Sequence, residues 1–139
     1  MASLDGTKLR HIFEPVAEHV YSGTSHLVIP GLGKGKPFGD IWRWALRLLG
    51  FRPHQVVTVE DSKSGVDSCN NVAKEDEKHE AIAVILGYVG IHPEEKQEEE
   101  AEGLIEHGAE GILFNWDIDE LINVVFEVLV NKGMIVLDA

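Results

Sequence analysis

The run Ala81–Val89 (Ala-Ile-Ala-Val-Ile-Leu-Gly-Tyr-Val) restricts the folds open to this chain more than any other segment. A strand with one wet face alternates apolar and polar residues. This run does not alternate, so both of its faces need covering, as in a parallel sheet with helices on either side. It is far too short to cross a bilayer, which takes roughly 18–20 apolar residues.

The neighbouring segments supply such helices and further strands. Leu9, Ile12, Phe13 and Val16 fall at helical spacing and predict a helix over Lys8–His19. Asp40 is a suitable N-cap for an amphipathic helix over Ile41–Leu49, stopped by Gly50. Gln55–Glu60 is β-branched and short, so it reads as a buried strand, and the chain then turns into a helix over Ser62–Ala73. Lys74–Glu80 is a charged connector. Pro93 opens an acidic helix, Glu94–Glu106, whose glutamates read as a solvated face, with Gly108 just beyond it. Gly111–Phe114 is a third strand, and Asp117 or Asp119 caps a helix running to about Val130. Gly133 ends that helix, and Met134–Leu137 reads as a last strand.

Strands alternating with helices over short loops predict an α/β fold, a Rossmann-like three-layer core with a mostly parallel sheet. At 139 residues the chain has room for one such core, so residues 1–139 form a single domain.

Charge narrows the partners. Twelve Lys and Arg stand against 24 Asp and Glu, a formal net charge of −12, which argues against nucleic acid and anionic membranes. No signal peptide is recognisable at the start, so the expected location is the cytoplasm. Cys69 is the one cysteine, which excludes an internal disulfide and a cysteine-based zinc site. It reads as a small buried residue in its helix. The seven histidines show no H-x-x-x-H pair, which argues against a histidine metal site.

In parallel α/β sheets, ligands bind beyond the carboxyl ends of the strands. Glu60-Asp61-Ser62-Lys63-Ser64-Gly65-Val66 follows one such end. Two adjacent carboxylates there suit a hard cation, and magnesium takes only one or two protein carboxylates while keeping several waters. The plainer alternative is an acidic strand end followed by an ordinary helix cap at Ser62. The loop Lys34-Gly35-Lys36-Pro37 brings flexible point charges suited to phosphate on a glycine-rich backbone. It does not read G-x-x-x-x-G-K-[ST], and its plainer alternative is a solvated basic loop.

Together the two stretches resemble the haloacid dehalogenase-like hydrolases, in the branch of small sugar-phosphate phosphatases and phosphoglucomutase-type enzymes. Gly35-Lys36-Pro37 with Asp40-Ile41 is similar to that branch's G-K-P-x-P-D-I, with Gly39 in place of the second proline. Val56-Val57-Thr58-Val59-Glu60-Asp61-Ser62, with Ser64-Gly65-Val66, is similar to its apolar strand and E-D-S-x-x-G-[VI]. Gly108–Leu113 resembles its last strand, and Asp119-Glu120-Leu121 its closing helix. The resemblance spans Gly33–Leu121, with acidic insertions at Lys74–Glu80 and Glu94–Glu102. It implies that Lys36 contacts the phosphoryl group, that Asp61 binds Mg2+ directly, and that Glu60 sits beside the ion. The implied substrate is a small phosphorylated metabolite. The implied chemistry is attack on phosphorus by an aspartate, with a second aspartate two residues later as general acid/base.

That nucleophile has no standard counterpart near the start of the chain. Ser3-Leu4-Asp5-Gly6-Thr7 resembles the family's D-x-D-G-[TV] with Ser3 in the nucleophile's place and Asp5 in that of the acid/base. Met1-Ala2-Ser3 followed by Lys8–Phe13 is a better match to the family's second motif, with Ser3 the phosphate-contacting hydroxyl. On that reading the first strand, the nucleophile and the helical cap are all missing. The apolar sheet edges left behind would then need a partner chain or a second copy, a homodimer. Met134-Ile135-Val136-Leu137-Asp138 offers one rescue, an apolar strand ending in aspartate that could fill the vacant slot and bring Asp138 near Lys36 and Asp61. Its plainer alternative is a tail strand or frayed terminus. The expectation is therefore a phosphatase core of impaired activity. Its alternative is a non-catalytic binding or interaction module on the same fold.

Overall fold

The computed structural model of the chain describes residues 34–75 and 77–136. Ser3, Asp5, Asp138 and the predicted helix Lys8–His19 lie outside them. The described residues form, in order, α1 (Asp40–Leu49), a 3-10 turn (Pro53–Gln55), β1 (Val57–Glu60), α2 (Lys63–Glu75), β2 (Val84–Tyr88), α3 (Glu94–Glu106), β3 (Gly111–Leu113) and α4 (Ile118–Asn131). The fold is α/β, with a three-stranded sheet in the order β1-β2-β3. Both pairings are parallel; Val59 lies opposite Leu86, and Leu86 opposite Gly111.

β2 is the strand in the middle, and its unbroken apolarity follows from that place. Ile85 and Val89 join a core with Val66, Cys69 and Val72 of α2 and Ala101 and Leu104 of α3. Val84 and Leu86 join a second core with Leu113 and Val128, against which Leu121, Val124 and Val125 of α4 pack. Helices thus cover both faces, giving three layers, as the run Ala81–Val89 predicts.

Glycine closes two of the helices in the same way. Gly50 and Gly133 take φ of 77° and 70°, the left-handed conformation that costs other residues a Cβ clash. The Gly50 N–H bonds the Arg47 carbonyl and the Phe51 N–H bonds that of Leu46; Gly133 and Met134 repeat the pattern on Val130 and Leu129.

That second turn corrects one expectation. Met134–Val136 is not a strand. The N–H groups of Met134 and Ile135 both go back to the Leu129 carbonyl, so this segment closes α4 rather than joining the sheet. Smaller differences concern boundaries. Asp40 is the first residue of α1 and Gly39 its cap, without a capping side chain. α2 runs on to Glu75, into the predicted connector. Asp117 is the cap of α4, its carboxylate accepting from the N–H groups of Asp119 and Glu120. No helix among the described residues is long and apolar enough to cross a membrane.

Candidate functional site

β1 is built so that alternate side chains face α2. Thr58 and Glu60 are buried on that side, while Val59 packs into the opposite core. Glu60 is the last residue of β1, and its carboxylate is only 8% exposed. A buried carboxylate needs a partner, and Lys36 supplies it: the Nζ donates to Oε2 at 3.0 Å. Burial pushes the Glu60 carboxyl above its usual range, with Asp61 adding to the rise and Lys36 opposing it. Asp61, next in the chain, is exposed to solvent at the carboxyl end of β1.

The turn into α2 fixes the other side of the Glu60 carboxylate. Ser62 caps the helix, its Oγ accepting from the Gly65 N–H at 3.1 Å. Gly65 is pressed against Glu60: a Cβ there would lie 2.5 Å from the Glu60 Cδ and overlap Oε2. The motif therefore needs glycine at this position for a steric reason. The positive end of the α2 dipole also faces these carboxylates.

Lys36 is held in place by backbone bonds to α2. Ser68 Oγ donates to the Phe38 carbonyl at 2.6 Å, and Asn71 Nδ2 to the Pro37 carbonyl at 2.8 Å. The Gly39 N–H donates to Glu75 Oε2 at 3.0 Å. Gly39 sits directly on α2, where a Cβ would come within 2.8 Å of the Val72 nitrogen. A proline ring would not fit there, and it would lose the N–H that reaches Glu75. The reading of the sequence did not single out Ser68, Asn71 or Glu75. Their spacing along one face of a helix was the available signal.

The structure thus brings together Lys36 and Glu60, with Asp61 adjacent to Glu60 in the chain. Ser3 and Asp138 lie outside the described residues. Among the described residues, no three of His, Cys, Asp and Glu gather into a metal-binding group. Glu60 and Asp61 nonetheless fit magnesium as a donor set. They are hard oxygen donors, one exposed and one behind it, and this ion accepts as few as one or two carboxylates. Cys69 offers no nucleophile, because burial pushes its thiol up to about 12.

The carboxyl ends of β2 and β3 contribute an apolar wall. Tyr88 and Trp116 meet edge to face with ring centroids 5.4 Å apart. Beside them a cavity of about 260 Å³ is lined by Leu113, Trp116, Asp117, Ile118 and Leu121.

No known family profile matches the chain, and no solved structure does. An uncharacterized protein of Schizosaccharomyces pombe is 37% identical over 70 residues, covering 43% of this chain and 27% of that protein. The chain therefore spans about a quarter of the length of this relative.

Proposed function

We propose that this chain is a haloacid dehalogenase-like hydrolase core, related to magnesium-dependent phosphatases of small phosphate esters and impaired in turnover. The observation that carries this reading is the contact between Lys36 and Glu60. The two motifs lie 24 residues apart, and their key side chains meet at 3.0 Å at the end of one strand. A lysine beside a pair of carboxylates, at the carboxyl end of a parallel strand, suits a phosphoryl group with its counterion.

Asp61 would hold the magnesium ion, with Glu60 beside it directly or through water. The ion would neutralise charge on the phosphoryl oxygens. Lys36 does two things in this reading: it balances the buried Glu60 and offers its remaining protons to a phosphoryl oxygen. The Tyr88–Trp116 wall gives the ester's organic part an apolar surface. The substrate is a small phosphorylated metabolite and the setting cytoplasmic, which the acidic charge and single cysteine suit.

The test uses the full chain, an aryl phosphate, and calorimetry of Mg2+ with inorganic phosphate. The expected result is Mg2+-dependent phosphate binding lost in Asp61→Ala and weakened in Lys36→Ala, with hydrolysis at or near background. Magnesium-dependent turnover lost in both Asp61→Ala and Asp138→Ala would overturn the impairment and place Asp138 in the site. Absence of any Mg2+-linked binding would overturn the whole reading.

One observation favours the alternative of a non-catalytic interaction module. Ile118, Ile122 and Phe126 lie one helical turn apart along α4 and are 66%, 57% and 45% exposed. An apolar row of this kind marks a contact surface, in this reading for a second copy of the chain. Concentration-dependent dimerisation that Mg2+ does not affect would favour it.

A further inference from the structure

The carboxyl ends of the three strands lie side by side, so the surface around Asp61 continues onto β2 and β3. Glu60 lies opposite Gly87 and Tyr88 opposite Leu113, so Asp61 and Tyr88 come next on neighbouring strands. Strands are spaced about 4.8 Å apart, which puts the end of β3 about 10 Å from that of β1. The Tyr88–Trp116 pair leads across this interval to the cavity of about 260 Å³.

Trp116 is held there by bonds that do not involve its side chain. The Glu120 carboxylate accepts from the N–H groups of Phe114 and Asn115 at 3.4 and 2.8 Å. Asp117 Oδ1 accepts from the Asp119 N–H at 2.7 Å. The residues on either side of Trp116 are thus fastened to the first turn of α4, while the indole itself is 71% exposed. Tyr88 is confined as well: its ring lies against Gly90, where a Cβ would come within 2.4 Å of the hydroxyl oxygen. A large ring left in water on a braced turn gains from burial only when something flat covers it.

The lining decides what can cover it. Leu113, Ile118 and Leu121 are aliphatic, and the hydroxyls of a sugar would lose water against them without replacement. Asp117 is the one charged group in the lining, and its carboxylate opposes a second anionic group. A flat, uncharged ring meets neither cost and extends the aromatic pair.

We infer that the site takes phosphate monoesters whose alcohol is a flat, uncharged ring, with the phosphate at Lys36 and Asp61 and the ring in the cavity against Trp116. Trp116 is then the residue that sets specificity. This rests on the reading of Lys36, Glu60 and Asp61 as a phosphate site, and it departs from the sugar phosphates of the branch that the chain resembles.

The probes are phenyl phosphate, glucose-6-phosphate and inorganic phosphate, titrated calorimetrically into the full chain with Mg2+. Phenyl phosphate is expected to bind roughly tenfold more tightly than glucose-6-phosphate, from burying about 55 Å² of apolar surface. Trp116→Ala should abolish that preference and leave inorganic phosphate unchanged, whereas Trp116→Phe should keep most of it. Trp116 is exposed and outside any helix or strand, and melting curves check that both variants fold. Absence of Mg2+-linked phosphate binding would overturn the phosphate site and this inference with it. Inorganic phosphate bound with Mg2+, but with no preference for phenyl phosphate or with the preference intact in Trp116→Ala, would overturn this inference alone.

Discussion

Replacing Gly65 with alanine tests the packing that holds the candidate site together. The added Cβ would lie 2.5 Å from the Glu60 Cδ. Glu60 is only 8% exposed and bonded to Lys36 at 3.0 Å, so it has little room to yield in place. The carboxylate must swing away and break that charge-assisted hydrogen bond, worth about 1.5–3 kcal/mol. Alanine returns at most about 1 kcal/mol of helix propensity, less in a first turn. The net expectation is a destabilisation of about 1–2 kcal/mol, or about 3–8 °C in Tm for a domain of this size. Thermal and urea melts measure it, in wild type and in a Glu60→Ala background. Without the glutamate the remaining close neighbour is Ser62 Oγ at 3.0 Å, which needs to move only a few tenths of an ångström. There Gly65→Ala should be neutral or slightly stabilising, so the two substitutions are non-additive. Equal cost in both backgrounds would refute the account of Glu60 and Gly65 as one packed unit.

Two further outcomes are expected. The Arg52 guanidinium and the His54 ring hold the Glu80 carboxyl down at about 2, from an ordinary 4.5. A depressed acid contributes stability above its ordinary value and loses it as pH falls towards the folded one. The stability difference between wild type and Glu80→Gln should therefore be full above about pH 5 and shrink towards pH 2 in acid-unfolding curves; a flat difference would contradict the pairing. Cys69 is 1% exposed with its thiol raised to about 12. It should resist an aromatic disulfide reagent at pH 8 in the native chain and react at once in denaturant, whereas fast native labelling would contradict its burial.

The sequence made the architecture readable because its strongest signals were local. The apolar run Ala81–Val89 pointed to a strand covered on both faces, and β2 is that strand. Gly50 marked the end of α1 because a left-handed residue was needed there. Met134–Val136 misled for a related reason. A short apolar stretch after glycine has the same composition whether it starts a strand or closes a helix. Here the free carbonyl of Leu129 took its N–H groups. The site was half legible. Glu60 and Asp61 stand out at a strand end, and Lys36 in a glycine-rich loop. That Lys36 reaches Glu60 depends on Ser68, Asn71 and Glu75, three polar residues on a helix that looks ordinary in sequence. Their partners are the Pro37 and Phe38 carbonyls and the Gly39 N–H, which no residue-type pattern reveals.

The same attachment sets where this chain can tolerate a change in length. α2 carries Gly65, which braces Glu60, and three residues further on begins the set of side chains that pins the Lys36 loop. One inserted residue between Gly65 and Ser68 would turn everything after it by about 100° and carry it about 1.5 Å along the axis. Ser68, Asn71 and Glu75 would then present the wrong face, and Lys36 would lose its register on Glu60. Past Glu75 no such indexing applies, because Glu77–His79 is exposed surface outside any helix or strand. Insertions and deletions should therefore be accommodated in that turn and rejected between Gly65 and Glu75.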